Sequence, residues 1–295
     1  MLETGLDSAY RRIRGDKTVS FEESVKLCRH FGISLDSFIF GEEKYQFKYD
    51  LPPFDTSNIR DYMTYIYEFA AMMDSLIKKS ESTIILSAAD IPVFYFLEYM
   101  DLTLFYLFSW HKNTYKIPEN YEEFVKAFNI DELWHYSANI AANYKKIDSF
   151  EVWTPNTVDS TIRMLRYHVA MKHFEDDKIP IRFCDQLMDI VNKLQIWMET
   201  GKKDREGNPF NFYVNDIDIG NTFILFKKAQ NVNCLVKLFS INGLNIKNCQ
   251  FCQEVENWLH NLIDRSTLIS GTSVLERFRF ISNQKEKIQT FRDSL

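Results

Sequence analysis

Nine glycines and seven prolines in 295 residues leave this chain few places to turn sharply or to break a helix. Glycine and proline are the residues that punctuate regular structure. Their scarcity predicts helices joined by short connections and argues against long structureless linkers. Pro92, Pro155 and Pro180 fall at or beside predicted helix starts, where proline is tolerated. Pro52 and Pro53 stand together after a polar run containing Glu42, Glu43, Lys44 and Lys48. Paired prolines forbid helix and favour an extended connection, so a domain boundary is expected there.

The hydrophobic period agrees with this reading. Ile59, Met63, Ile66, Tyr67, Ala70, Met73 and Ile77 recur at the three-to-four spacing of an amphipathic helix. Similar patterns predict helices over 7–14, 20–31, 90–110, 121–128, 130–146, 157–174, 179–200, 250–265 and from 273 onward. Residues 83–87 form one short β-prone run. Three more, at 212–216, 222–226 and 234–239, are separated by turn-like segments and predict a small antiparallel sheet.

The chain holds 25 Phe and 15 Tyr, which are read as the filling of large helical cores. The stretch from Ile84 to Trp110 is apolar, but Asp90, Glu98 and Asp101 interrupt it, and a membrane span needs about 18 or more nearly uncharged residues. A buried helix is expected instead. Net charge is −6, so nucleic acid would be gripped only through a local basic patch. The five cysteines show no disulfide framework, and no signal peptide opens the sequence, so a cytoplasmic location is expected. Cys249 and Cys252 form a C-x-x-C that is read as two small apolar residues at a helix start rather than as half a zinc site.

The most distinctive segment is Ala9-Tyr10-Arg11-Arg12-Ile13-Arg14-Gly15. Gly5 and Leu6 precede it as a turn, with Asp7 or Ser8 expected as helix cap and Gly15 as helix stop. Ser20-Phe21-Glu22-Glu23 then gives a capping box opening a second helix, with Phe21, Val25, Leu27, Cys28 and Phe31 as its expected buried face. Together with Gly32-Ile33-Ser34-Leu35-Asp36, this order resembles the helix-turn-helix domains of the λ-repressor and Cro-like regulators, over about 35 of 295 residues. The resemblance implies that Asp7, Ser8, Tyr10 and Arg11 face base edges, that Arg12, Arg14 and Lys17 reach phosphates, and that Ala9 and Ile13 pack inward. Domains of this kind place about two helices before the turn glycine. Met1–Thr4 has no room for them, so either a truncated or mis-assigned start, or a remnant of such a domain, is expected.

Elsewhere no set of residues points to catalysis. His168 and His173 are five apart, off the spacing that pairs metal ligands on a helix, and are read as a solvated helix end. His111 and His135 adjoin Trp110 and Trp134 and are read as packing residues. Ser270, Thr272 and Ser273 are read as caps of the last helix.

The expected fold is mainly α, divided into a partial helix-turn-helix module (1–40), a linker (41–56), a helical domain (57–205) and a small α+β unit with terminal helices (206–295). The expected function is sequence-specific binding of duplex DNA in transcriptional regulation, with the larger region serving dimerisation or sensing. No cofactor, metal, membrane or catalytic chemistry is expected, and a homodimer is a candidate assembly. The alternatives are a helical interaction or scaffold protein that has lost DNA binding, and a small-molecule-binding protein with its site in the aromatic helical region.

Overall fold

The computed structural model describes residues 5–31, 35, 49–50, 59–78, 82–114, 117, 120–126, 129–204, 208–229, 231–238, 243–247 and 249–295. The chain forms two compact units, 1–48 and 49–295. Most of the expected linker, including Pro52 and Pro53, lies outside the described residues, as do Gly32–Ser34.

In the first unit, α1 (Leu6–Ile13) and α2 (Phe21–Phe31) are joined by a turn at Gly15, whose φ of +80° favours glycine. In the second, the described elements run α3 (Ile59–Ile77), β2 (Ser82–Ala88), α4 (Val93–Phe96), α5 (Met100–Thr114), α6 (Tyr121–Lys126), α7 (Ile130–Lys145) and β3 (Asp148–Trp153). They continue with α8 (Asp159–Ala170), α9 (Lys178–Thr200), β4 (Lys202–Lys203), β5 (Asn208–Val214), β6 (Phe223–Lys228), β7 (Asn231–Lys237) and β8 (Gly243–Ile246). The last are α10 (Cys249–Asp264), β9 (Thr267–Leu268) and α11 (Val274–Arg292); β1 (Tyr49–Asp50) opens the unit.

The mainly α expectation is overturned. Among the described residues the second unit is an α/β fold around a nine-stranded mixed sheet in the order β1-β8-β7-β6-β2-β3-β5-β4, with β9 added to β5. Strands β2, β3 and β5 are parallel, and helical crossovers join them as parallel pairing requires. Strands β6, β7 and β8 form an antiparallel extension beside β2. Of the three runs expected to form a small antiparallel sheet, 222–226 and 234–239 pair as β6 and β7 in this wing, whereas 212–216 falls in β5, beyond β2 and parallel to β3. Strand β8 was not anticipated, and strands from 57–205 and 206–295 share the one sheet.

Strand β3 was not anticipated, and its side chains explain why. Its core-facing positions are Ser149, Glu151 and Trp153, so two of three are polar. Phe150 and Val152 point the other way, which inverts the alternation by which strands are recognised.

On one sheet face, Ile84, Leu86, Trp153, Phe210, Phe212, Ile224 and Phe226 meet Ile66 and Phe69 of α3, Tyr95 of α4, Tyr144 of α7 and Trp197 of α9. On the other, Ile85, Leu225 and Cys234 pack under Cys252, Val255 and Leu259 of α10. The expected helix over 90–110 is split into α4 and α5, and its rings are core. Among the described residues no helix is long and apolar enough to cross a membrane.

Candidate nucleic-acid interface

Gly5, not Asp7 or Ser8, stands at the N-cap of α1 and gives no side-chain bond. Asp7 instead lies in the first turn, where a carboxylate complements the helix dipole. The capping box of α2 is formed in both directions. Ser20 N–H donates to Glu23 Oε2 at 3.1 Å, and Glu23 N–H donates to Ser20 Oγ at 3.2 Å.

Glu23 also joins the two helices. Arg12 donates to it through Nε at 3.0 Å and Nη2 at 2.5 Å, a two-point pairing, while Nη1 donates to Ser8 O at 3.0 Å and Ser8 Oγ at 2.5 Å. The Arg12 bonds, and then the Ser20 amide, hold the Glu23 carboxyl below its ordinary pKa. Only 9% of the Arg12 side chain is exposed.

At 100° per residue, the described side chains of α1 fall into three stripes. Ser8 and Arg12 are tied to each other, and through Arg12 to α2. Leu6, Tyr10 and Ile13 form an apolar stripe, each more than half exposed. Asp7, Arg11 and Arg14 form an exposed polar stripe. Arg14 touches Asp16 at 3.3 Å with both side chains more than half exposed, a contact worth little in water. Lys17 is exposed and Ala9 half-buried. Ile13 does not pack inward, and Phe21 and Phe31 are exposed rather than buried; Val25, Leu27 and Cys28 are half-buried. Neither helix contains a fully buried residue, because two short helices cannot enclose a core.

Two polar clusters inside the second unit were not legible in the sequence. The Glu151 carboxylate, wholly buried, accepts from Tyr95 OH at 2.8 Å and Trp153 Nε1 at 3.1 Å on Oε2, and from Tyr144 OH and Ser149 Oγ on Oε1. Burial raises its pKa, opposed by Lys203 and these donors. The Lys203 ammonium, 3.7 Å from the Tyr144 ring centre, donates to Tyr144 O at 3.0 Å, and burial pushes its pKa down to about 7.

The second cluster corrects the reading of a solvated helix end. Lys172, at φ +55°, turns the chain after α8, and His173 N–H bonds back to His168 O at 3.0 Å. The rings of His168 and His173 meet at 2.8 Å through their Nδ1 atoms, and His168 Nε2 lies 3.0 Å from Ser109 Oγ. Burial lowers the His168 pKa to about 4, so its ring is neutral at ordinary pH. All three residues are buried.

Other expectations also resolve. His111 is buried, with burial lowering its pKa to about 4, whereas His135 is exposed. Ser273 precedes α11 without a side-chain capping bond, and Ser270 Oγ instead accepts from Phe212 N–H at 3.1 Å. Cys252 Sγ donates to Ile246 O at 3.4 Å within the α10 core; the Cys249 side chain lies outside the described residues. Among the described residues no three His, Cys, Asp or Glu side chains form a metal-binding group.

No protein-family model, curated protein or solved structure matches this chain. The functional reading rests on its own residues.

Proposed function

We propose that this chain is a transcriptional regulator that reads duplex DNA through α1, with the α/β unit providing self-association and sensing, and with no catalytic chemistry of its own. The observation that carries the reading is the division of labour on α1. Arg12 and Ser8 are consumed in fixing α1 to α2, while Arg11 and Arg14 remain exposed on a stripe with Asp7. A recognition helix needs that arrangement, since guanidinium groups specify bases only from a helix held in a fixed orientation. Arg12 thus becomes a positioning residue, and Arg11, Arg14 and Lys17 are the cations left for DNA. The test is fluorescence anisotropy with a selected duplex library at two salt concentrations. Absence of any sequence preference would reject the reading.

The self-association surface is assigned to the outer face of α9 and α11. Ile196, Val274, Leu275 and Phe278 are each more than half exposed there, beside a groove of about 330 Å³ lined in part by Ile281, Ser282 and Lys285. A two-fold contact must be self-complementary. This face supplies a ring to insert, a groove to receive it, and charges of both signs in Glu199 and Lys285.

The scaffold reading is favoured by one observation, the exposed apolar stripe of Leu6, Tyr10 and Ile13. It suits a module covered by a protein partner rather than one applied to DNA.

A further inference from the structure

A cleft of about 370 Å³ opens between α3 and the antiparallel wing of the sheet. Its helix wall is Tyr65, Phe69 and Met72, and its sheet wall holds Phe226 and Leu235. The rings are already arranged against one another. Tyr65 and Phe69 lie 6.2 Å apart, and Phe69 meets Phe226 edge-on at 6.2 Å.

The sheet face beneath α3 changes character along the ladder. Over β2 and β6 it carries Ile84, Leu86, Ile224 and Phe226. Further out it carries Asn233, opposite Phe226, and Asn245, opposite Leu235. These two carboxamides are half-buried and keep their polar atoms open to the cleft, where an incoming ligand can bond them. Among the described residues, no hydrogen bond or ion pair engages the side chains of Asn233 or Asn245, nor those of Glu68 and Lys247 at the cleft's edge. An apolar pocket of this size with a few convergent polar groups is the usual form of a small-molecule site.

We propose that this cleft binds a small aromatic zwitterion of the aromatic amino-acid class. The ring lies against half-buried Tyr65, with the packed Phe69 and Phe226 rings forming the floor behind it. Lys247 takes the carboxylate and Glu68 the ammonium, which accounts for one charge of each sign at the cleft. Asn233 and Asn245 bond the polar end as it leaves water. An effector role for this ligand rests on the regulator reading; its occupancy of the cleft does not.

The test is isothermal titration of the full chain with L-tryptophan, L-phenylalanine and L-tyrosine, without DNA. Tryptamine, which lacks the carboxylate, and indole-3-propionate, which lacks the ammonium, serve as controls. Saturable binding of at least one amino acid is expected, with each control weaker by about two- to fivefold, since Glu68 and Lys247 are exposed and a charge contact at such a position contributes up to about 1 kcal/mol. Lys247→Ala and Glu68→Ala should each weaken binding comparably, while circular dichroism stays unchanged. Asn245→Leu, which replaces a polar contact with apolar bulk, should also weaken it. Failure of all three amino acids at millimolar concentration overturns the proposal. So does binding that Lys247→Ala and Asn245→Leu leave intact, or tryptamine binding as tightly as tryptophan. Loss of DNA binding in a separate assay would change none of these outcomes.

Discussion

Tyr95 and Glu151 meet at 2.8 Å in the middle of the core, a phenol donating to a carboxylate that three further donors also address. Each carboxylate oxygen accepts two bonds, which fills the acceptor capacity of the group. A leucine at this position would remove the acceptor of four buried donors, and since Tyr95 OH and Tyr144 OH lie 3.0 Å apart only one of the two phenols could turn to the other. Glu151→Leu should therefore lower unfolding stability by on the order of 3 to 5 kcal/mol. Glu151→Gln keeps the shape but turns an amide donor toward other donors, and should cost about 1 to 3 kcal/mol. Urea denaturation checks both, and a neutral Glu151→Leu would show that the network is dispensable for stability.

Lys203 gives the fold a pH dependence of definite sign. Its pKa falls from 10.5 to about 7 because burial disfavours the ammonium. Between those values the unfolded chain holds the proton and the folded chain releases it. The contribution of Lys203 is thus full above the unfolded value and is lost as pH falls toward 7. Lys203→Met removes this dependence. Wild-type stability should rise relative to that variant by up to about 1.4 kcal/mol per pH unit between pH 7 and 10. Parallel stability curves for the two proteins in that window would contradict the assignment.

Helix positions were legible in the sequence because periodicity survives even where the tertiary setting is unknown. The α9 helix is an example: its predicted span of 179–200 differs from the observed one by a single residue, and Gly201 at φ +67° ends it. Four strands, β2, β5, β6 and β7, were legible as β-prone runs, but the sheet that joins them was not, for a local reason. Strand β3 puts Ser149 and Glu151 on its buried face, and a buried Glu is readable only once Tyr95 and Tyr144, from distant helices, are known to meet it. Without β3, β2 looks like an isolated run and the parallel core disappears. The N-terminal site was partly legible. The capping box and the exposed Arg11 and Arg14 follow from spacing, but the capture of Arg12 by Glu23, eleven residues on, depends on how α1 meets α2.

Phe278 is expected to hold a symmetric dimer together. Its ring is 68% exposed on α11, beside Leu275 and one turn from Ser282, a small residue against which a partner's ring can seat. The full chain should run as a dimer in light scattering coupled to size exclusion. Phe278→Glu, an exposed position that leaves the core untouched, should give a folded monomer. A monomeric wild type at tens of micromolar would remove this face from the regulator reading.

The sharpest test of α1 uses Glu23 rather than an arginine. If Arg12 contacted phosphate, Glu23→Ala would free that guanidinium, remove a negative charge from the interface and tighten DNA binding. If Arg12 positions the helix, Glu23→Ala dismantles both the inter-helix pairing and half of the capping box, and binding weakens despite the favourable change in charge. Weakening is expected. Arg12→Ala should reproduce it, and both variants should speed amide exchange across residues 6–31. Arg11→Ala and Arg14→Ala should leave that exchange unchanged. For either arginine that contacts phosphate, the substitution should reduce the slope of log affinity against log salt by about one. For one that reads a base, it should relax preference at a single base pair instead. Tighter binding by Glu23→Ala would return Arg12 to the phosphate-contacting set and leave α1 without the anchor argued for it.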